Sequence, residues 1–505
     1  MQRFYCGHRC GSCKLSPSST PAAFRGIVSW TSRMSSTRSL NLTDPELGRA
    51  GALLTEFLRG YERAIPAPRI VPDVDRAQLA ELLAQPFPRE GIGIDALFRE
   101  IGEKIVPNST AIAHPRFLAY VLGPSNGIAP FAEAIAAALN QNCNFWQLSP
   151  VASVIERKLV AWLGGLFGYP HAAGGLITSG GSMATLTALS AALHARCGED
   201  FRRNGLQGRA KPLVLYTSSE AHRCVEKDAV ILGLGLDNVR KIPVDAQFRM
   251  RVDLLEAAVA EDRSAGREPF CVVAAGGTIN TGAIDPVDAI ADFCEREKLW
   301  LHVDGAYGAL FVMSEKKKAL LQSCGRADSI ALDPHKLLFA PLEAGCVLVK
   351  DRDVLRRAFG FSSSYLAADP DPLLTNFMDY GPQLSRSFKA FKVWCALQAF
   401  GVDAFVQAID HQLDMAAYFG ERIAAQPAFE LMAPVTLSAV CFRLKHGDDT
   451  ANQRLLAALT AEGTALLGPV TLNNRTGLRA CVTNYRTTKE DLDLVVERLM
   501  ALATS

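Results

Sequence analysis

The sequence has no excess of charge of either sign and no long hydrophobic run. Its 505 residues include 53 Lys and Arg against 52 Asp and Glu, which gives a formal net charge of +1. Such a balance offers no electrostatic basis for binding nucleic acid or an acidic membrane surface. The best apolar candidate, residues 127–139, is shorter than the ~18 residues of a membrane span and contains Glu133. We therefore expect neither a nucleic-acid-binding protein nor a membrane-spanning one.

Closely spaced cysteine pairs are missing from most of the chain. There are thirteen cysteines, and those from Cys143 to Cys481 are scattered, mostly in apolar stretches. We interpret these as free thiols in a reducing compartment, which predicts a cytoplasmic location. Cys6, Cys10 and Cys13 lie closer together and suit a zinc or redox site, but no second pair of ligands follows them. We predict no metal site.

The first 40 residues differ from the rest in composition. They contain six basic residues, nine serines and no acidic residue. This composition is typical of an organelle transit peptide, which would make the protein mitochondrial. The alternative is a non-native upstream start, since Met34 could itself begin a chain. In both cases we expect residues 1–40 to be disordered and to lie outside the fold.

Hydrophobic periodicity divides the remainder into three parts. The length exceeds the ~250–300 residues at which a single core stops growing, so more than one domain is expected. Residues 41–120 have helical periodicity and form an arm that is too small to fold alone. Residues 121–384 alternate helices with short apolar runs, which predicts a large α/β domain with a mostly parallel sheet. The predicted strands include 213–216, 271–275, 300–303, 329–332 and 345–349.

Residues 385–505 change character. Two long helical patterns precede a few strand-like runs, which predicts a smaller α+β domain. We expect its closing helix to be capped by Thr487, with Glu490 three residues later completing a capping box.

Candidate chemistry begins with Asp333-Pro334-His335-Lys336, which directly follows a predicted strand. A Lys beside apolar residues can be partly desolvated, which lowers its pKa and frees the amine as a nucleophile. Asp304 also ends a predicted strand, where an acid could hold the protonated nitrogen of a pyridine ring. Each residue alone has an ordinary explanation: a surface lysine, or an acid that caps the next turn.

Three further segments also follow predicted strands. In residues 178–185, glycines that include Gly181 let backbone N–H groups approach a phosphate, and Ser182 adds a hydroxyl. This turn lacks the spacing of ATP and dinucleotide sites. His222 could stack on a flat cofactor or bind its own backbone. Thr278 could contact a ring substituent or bind its own turn.

Together these residues describe a pocket for pyridoxal phosphate. The chain resembles the group II pyridoxal-phosphate-dependent decarboxylases, the family of the aromatic-L-amino-acid, glutamate, tyrosine and histidine decarboxylases. The resemblance covers nearly all of the chain after residue 45. It rests on the Asp-Pro-His-Lys motif and the upstream segment His302-Val303-Asp304. It implies the fold-type I architecture: α/β, with a mostly parallel central sheet covered by helices and a smaller C-terminal α+β domain.

The resemblance also implies roles for individual residues. Lys336 would hold pyridoxal 5'-phosphate as a Schiff base, Asp304 would bind the pyridine nitrogen, and His222 would stack on the ring. Contacts to the phosphate and the ring would come from Gly181, Ser182, Thr278, Ala306 and Asp333. The family forms homodimers with active sites at the subunit interface, which would explain the helical arm.

Three more residues are assigned by the resemblance to the reaction and the substrate. Tyr365 would return a proton to Cα, where the related aldehyde synthases commonly have Phe. Arg479 would fix the substrate carboxylate, and Tyr120 would line the substrate pocket. Aromatic-substrate members usually carry Trp and Phe where this chain has Ile112 and Val121. An aromatic or hydrophobic L-amino acid is nevertheless the expected substrate.

The expected reaction is decarboxylation of that amino acid to the amine and CO2 through a quinonoid intermediate. An aldehyde synthase, an aminotransferase and a catalytically silent homologue stay open as alternatives. The presence of Lys336, Asp304 and His222 argues against a silent homologue, because nothing but function requires a costly acid opposite a reactive lysine.

Overall fold

The computed structural model describes residues 40–65, 69–361 and 373–504. The described part begins with an arm of three helices, none of which contains a buried residue. These helices are α1 (Asp44–Ala64), α2 (Arg76–Ala84) and α3 (Ile94–Glu100). Helix α1 begins after Thr43, whose backbone N–H donates to the Glu46 carboxylate at 2.7 Å. Because these three helices bury none of their own residues, they form no hydrophobic core by themselves.

A seven-stranded sheet forms the centre of the molecule. Its strands are β1 (Gly174–Thr178), β2 (Leu213–Ser218), β3 (Val239–Ile242), β4 (Glu268–Ala275), β5 (Trp300–Asp304), β6 (Ser329–Leu332) and β7 (Gly345–Val349). They are arranged in the order β1-β7-β6-β5-β4-β2-β3. Neighbouring strands from β3 to β6 are parallel, and β7 is antiparallel to both β6 and β1. The prediction of a mostly parallel sheet is confirmed.

Helices cover both faces of this sheet, which is why β2, β6 and β7 are buried along their whole length. Those between residues 129 and 264 are α4 (Ala129–Leu139), α5 (Pro150–Gly165), α6 (Gly181–Cys197), α7 (Glu199–Asn204), α8 (Cys224–Ile231) and α9 (Val252–Ser264). Those that follow are α10 (Val287–Glu297), α11 (Glu315–Leu321), α12 (Pro334–Leu337) and α13 (Asp353–Phe359).

A second, antiparallel sheet lies in the C-terminal part. It has the order β10-β11-β9-β8. Its strands are β8 (Phe429–Leu431), β9 (Ala439–Leu444), β10 (Gly468–Leu472) and β11 (Arg475–Cys481). The accompanying helices are α14 (Lys389–Phe400), α15 (Val402–Ala424), α16 (Asp449–Glu462) and α17 (Lys489–Ala503). Phe442 of β9 packs edge-on against Phe419 of α15, with ring centroids 5.9 Å apart. The fold class predicted from the sequence is confirmed.

The predicted cap of the closing helix is wrong by one residue. Thr488 is the N-cap of α17, and its side chain accepts from the backbone of Asp491. The hydroxyl of Thr487 instead donates to the carbonyl of Pro115 at 2.6 Å. The hydroxyl that the local pattern assigned to the helix cap is therefore used in a contact with a residue distant in the sequence.

Two further observations concern the described residues as a whole. Among them, no helix is both long and apolar enough to cross a membrane. All ten described cysteines are free thiols, and most of them are buried. Cys6, Cys10 and Cys13 lie outside the described residues.

A buried ion pair anchors β1 to the body of the molecule. Nη2 of Arg386 lies 2.5 Å from Oε1 of Glu156 on α5, and both side chains are almost fully buried. The same Glu156 oxygen accepts the backbone N–H of Ile177 at 2.9 Å, and Arg386 donates to the Ile177 carbonyl at 2.7 Å. The two side chains thus hold both backbone groups of a residue in β1, just before the chain enters the glycine turn.

Replacing Glu156 with Gln leaves the Arg386 charge buried without a counter-charge. We expect a loss of about 3–5 kcal/mol in the free energy of unfolding, measured by urea denaturation with circular dichroism. The control is Asp414→Asn, which breaks an exposed pair with Lys316 and should cost less than about 1 kcal/mol. Equal losses in the two variants would contradict the anchoring role of Glu156.

Candidate active site

The chain topology brings several strand ends to one edge of the large sheet. Strands β1 and β6 run in the same direction because both are antiparallel to β7. The segments that follow β1, β2, β4, β5 and β6 therefore meet at the carboxyl edge, where ligand sites of open α/β sheets lie. A cavity of about 340 Å³ opens there. Its wall includes Gly181, Ser182, His222, Thr278, Asp304, Ala306, Asp333 and Lys336.

Lys336 lies in α12, a single turn after β6. Its Nζ is 3.0 Å from Oδ2 of Asp333, and both side chains are largely buried. The other oxygen, Oδ1 of Asp333, is buried and has no hydrogen-bond partner among the described residues. Burial lowers the pKa of His335, which accepts the backbone N–H of Ala344 through Nδ1 at 3.3 Å. The amine thus faces the cavity beside an acid that is only partly satisfied.

Asp304 ends β5 on the same edge and is partly buried. Its Oδ1 accepts the backbone N–H of Ala306 at 3.2 Å, and its Oδ2 is 3.9 Å from Sγ of Cys224. Burial and the charge of Asp304 raise the pKa of the Cys224 thiol, so the thiol stays protonated and donates. These two donors do not supply a counter-charge, so the carboxylate suits a cationic group of a ligand.

The glycine turn after β1 is closely packed against the cavity wall. A Cβ at Gly181 would lie 2.6 Å from Cβ of Ala306 and 3.1 Å from Oδ2 of Asp333. Helix α6 begins at this residue and runs to Cys197, so its first backbone N–H groups and Ser182 border the cavity. A helix N-terminus with a bare glycine can hold a phosphate group.

His222 and Thr278 border the cavity in different ways. His222 follows β2 and is exposed, and its Nδ1 accepts the backbone N–H of Cys224 at 3.3 Å. The Thr278 hydroxyl lies 3.0 Å from Oγ1 of Thr281 and accepts the backbone N–H of Ala283 at 3.2 Å. The hydroxyl of Thr278 therefore serves its own turn, which the sequence had left as the alternative.

The structure does not bring the other predicted residues fully into the cavity. Tyr120 is 59% exposed and lies outside the cavity wall. Arg479 is buried in β11 and donates to the carbonyl of Ile279, a residue of the wall. Its Nε is buried without a hydrogen-bond partner among the described residues, which leaves a donor for a carboxylate. Tyr365 lies outside the described residues.

Comparison with known proteins agrees with this geometry. The model of the "Pyridoxal-dependent decarboxylase conserved domain" matches residues 77–445. This chain belongs to the pyridoxal-dependent decarboxylase family. It is 33% identical over 474 residues to an aromatic-L-amino-acid decarboxylase from Bacillus atrophaeus, covering 92% of this chain and 97% of that one. It is 30% identical to the histidine decarboxylase of Mus musculus, covering 88% of this chain and 68% of that one.

A solved structure shows the same likeness. The tryptophan decarboxylase of Catharanthus roseus in complex with L-tryptophan has a TM-score of 0.85 and 25% identity to this chain. The match covers 92% of this chain and 99% of that one. The cofactor of this pyridoxal-dependent decarboxylase is therefore pyridoxal 5'-phosphate.

The residues present fit this cofactor. Lys336 offers a partly buried amine, Asp304 offers a carboxylate without a counter-charge, and Gly181 leaves room at a helix N-terminus. The carboxylate of Asp333 faces Lys336, so it fits a partner of the amine better than a phosphate ligand. The Cys224 thiol also lies close to two of the residues predicted to contact the cofactor. Its sulfur, a ring nitrogen of His222 and a carboxylate oxygen of Asp304 all lie within 4.8 Å of one another.

Sequence reasoning missed three residues around the cavity. Cys224 lies only two residues after His222, but nothing in this largely charged segment gave a reason to place its thiol against Asp304. The Tyr307 hydroxyl reaches Oγ of Ser438 at 2.9 Å and so ties the cavity wall to the second sheet. Asp228, one helical turn after Cys224, is buried behind the wall. Its position within an ordinary helical pattern gave no signal of a site.

Replacing Gly181 with Ala forces a Cβ into the wall formed by Ala306 and Asp333. Overpacking of this kind costs about 1–3 kcal/mol, so we expect the Kd for pyridoxal phosphate to rise roughly tenfold or more. Titration of the apoprotein with the cofactor, followed by fluorescence quenching, measures this. Gly165→Ala at the end of α5 is the control, since its Cβ meets nothing within 4 Å. An unchanged Kd for the Gly181 variant would refute the close fit.

Proposed function

We propose that this decarboxylase acts on an aromatic or hydrophobic L-amino acid and releases the amine and CO2. The observation that carries this proposal is that the wall of one cavity contains both the Lys336 amine and a separate acid, Asp304, that has no counter-charge of its own. The chain is 33% identical to an aromatic-L-amino-acid decarboxylase, and the match covers 97% of that protein. This similarity supports an aromatic substrate. The fold likeness to a tryptophan decarboxylase supports the same class.

Bound pyridoxal phosphate supplies an electron sink for the charge that remains on Cα when CO2 leaves. The residues of this chain would bind and orient both the cofactor and the amino-acid substrate. Asp304 would hold a positive charge at the ring nitrogen, because a fixed and partly buried carboxylate stabilises charge better than mobile water does. Lys336 would hold the cofactor through its Nζ, and the glycine turn with Ser182 would hold the phosphate through N–H and O–H donors.

Two residues would control which bond breaks and where the proton returns. The unpartnered Nε of Arg479 would bind the substrate carboxylate and orient the bond to Cα. Tyr365 would then donate its phenolic proton to Cα, which favours simple decarboxylation over aldehyde synthesis. His222, exposed at the mouth of the cavity, would cover one face of the ring.

The role of Lys336 has a direct chemical test. Borohydride treatment of the enzyme loaded with pyridoxal phosphate should attach the cofactor to the peptide that contains Lys336, as read by mass spectrometry. Lys336→Ala should lose this label and lower CO2 release at least about a thousandfold. The control is Lys316→Ala, which removes an exposed lysine paired with Asp414. A label on another lysine, or full activity in Lys336→Ala, would contradict the assignment.

The same assay tests the substrate. We expect aromatic L-amino acids to give more CO2 than acidic or basic ones, without peroxide. Peroxide in proportion to CO2 would identify an aldehyde synthase instead.

We also propose that the enzyme is a homodimer. The arm helices α1 to α3 contain no buried residue, although they carry large apolar side chains such as Leu47 and Leu54. These two leucines are seven residues apart and so lie on the same face of α1. Helix α4 likewise exposes Phe131, Ile135 and Leu139. A second copy of the chain would cover this surface and bring exposed residues such as Tyr120 to its active site.

The double substitution Leu47→Asp and Leu54→Asp should weaken this dimer, because it places charges in an apolar contact. Sedimentation velocity at low micromolar concentration should show a dimer for the wild type and a shift to monomer for the variant. Leu320→Asp on α11, where the leucine is also exposed, should leave the dimer intact. A monomeric wild type would refute the proposal.

A further inference from the structure

Asp228 is a buried acid that the proposed mechanism does not use. It lies in α8, one helical turn after Cys224, and only 3% of its surface is exposed. Its Oδ2 is buried and has no hydrogen-bond partner within the described part of the chain. Cys224 belongs to the cavity wall, whereas Asp228 lies behind it. An acid without a partner at such a place needs a reason.

Asp228 is connected to the active site through Asp304. The Cys224 thiol donates to Oδ2 of Asp304 at 3.9 Å, so α8 lies directly against the end of β5. Burial, and then the negative charge of Asp304, raise the pKa of Asp228 to about 7, while Lys227 on the same helix lowers it. Helix α6 packs against α8, and the side chain that α6 places beside Cys224 is that of Thr185, which is uncharged. Burial is the larger cause of the raised pKa of Asp228, and of the two charges that act on this carboxyl, that of Asp304 has the larger effect.

We propose that Asp228 is a positioning residue whose buried carboxyl, acting through Asp304, makes the affinity of the site for pyridoxal phosphate increase with pH. This inference rests on the proposed role of Asp304 as the partner of the pyridine nitrogen. Asp228 itself touches neither cofactor nor substrate.

The direction follows from linkage. A protonated ring nitrogen at Asp304 brings a positive charge close to Asp228 and favours its ionised form. Binding of the cofactor then releases a proton from Asp228, and a reaction that releases a proton is favoured by rising pH. The effect operates below the pKa of Asp228 in the free protein, near 7, and levels off above it. Without the ionisable group this contribution is absent.

The variant Asp228→Asn keeps the shape of the side chain and removes its charge. The Kd for pyridoxal phosphate should be measured between pH 5.5 and 8.5 for the wild type and the variant. The ratio of the two Kd values should change about three- to tenfold between pH 6 and 7, with the wild type gaining affinity, and should be constant above pH 7.5. Protonations of other groups are common to both proteins and cancel in the ratio.

A matched control is available on the same helix. Glu226→Gln also removes an acid from α8, but Glu226 already has a counter-charge, since it pairs with Lys241 at 2.8 Å. This variant should follow the wild-type pH profile. A change of ratio as large in Glu226→Gln as in Asp228→Asn would overturn the proposal.

A second measurement needs no cofactor. The pKa of Asp228 is raised by folding, so between about pH 4 and 7 this carboxyl binds more proton in the folded apoprotein than in the unfolded chain. The wild-type free energy of unfolding should therefore fall relative to that of Asp228→Asn as pH rises from 5 to 7, and the difference should then level off. Absence of this pH dependence would overturn the proposal, because Asp228 would not change its charge.

The remaining outcomes are separable. A variant with weaker cofactor binding by the same factor at every pH would show a merely structural role and overturn the proposal. A wild type that binds no pyridoxal phosphate at any pH would contradict the proposed function itself. The apoprotein measurement still reports on Asp228 in that case.

Discussion

Negative charge at the carboxyl edge of the large sheet is the constraint on which the active site depends. Asp304 ends β5, Asp333 directly follows the adjacent strand β6, and Asp228 is buried behind the cavity wall. Lys336 lies 3.0 Å from Asp333, while Asp304 receives only a backbone N–H and a thiol. Because a carboxylate away from water is costly without a counter-charge, this edge suits a ligand that brings a cation to Asp304. A protonated pyridine ring is such a ligand.

The rest of the fold supplies and supports that edge. Strand β7 reverses direction, so β1 runs parallel to β6 and delivers the glycine turn to the same side as Asp304. The buried pair of Glu156 and Arg386 holds β1 at Ile177, and Tyr307 ties the cavity wall to the second sheet. The positions of groups that must act on one small ring are thus fixed by contacts between distant segments.

Much of this site could be predicted because its chemistry lies in short segments at strand ends. Lys336, Asp304 and Gly181 each follow a recognisable apolar run, and parallel strands place such ends at one edge. The hydroxyl of Thr278 could not be placed, since a threonine bonds its own turn or a ligand equally well. The contact of Cys224 with Asp304 joins residues 80 positions apart, and no local pattern encodes it.

The amino-acid sequence by itself determined the α/β class, most strands of the large sheet and the motifs that point to pyridoxal phosphate, because hydrophobic periodicity and motif spacing are local properties. Only the tertiary structure decided the direction of β7, the burial of Asp228 and the exposure of Tyr120 and the helical arm. These features depend on which surfaces meet, and the free energy of burying a carboxyl or exposing a leucine is set by neighbours from other parts of the chain.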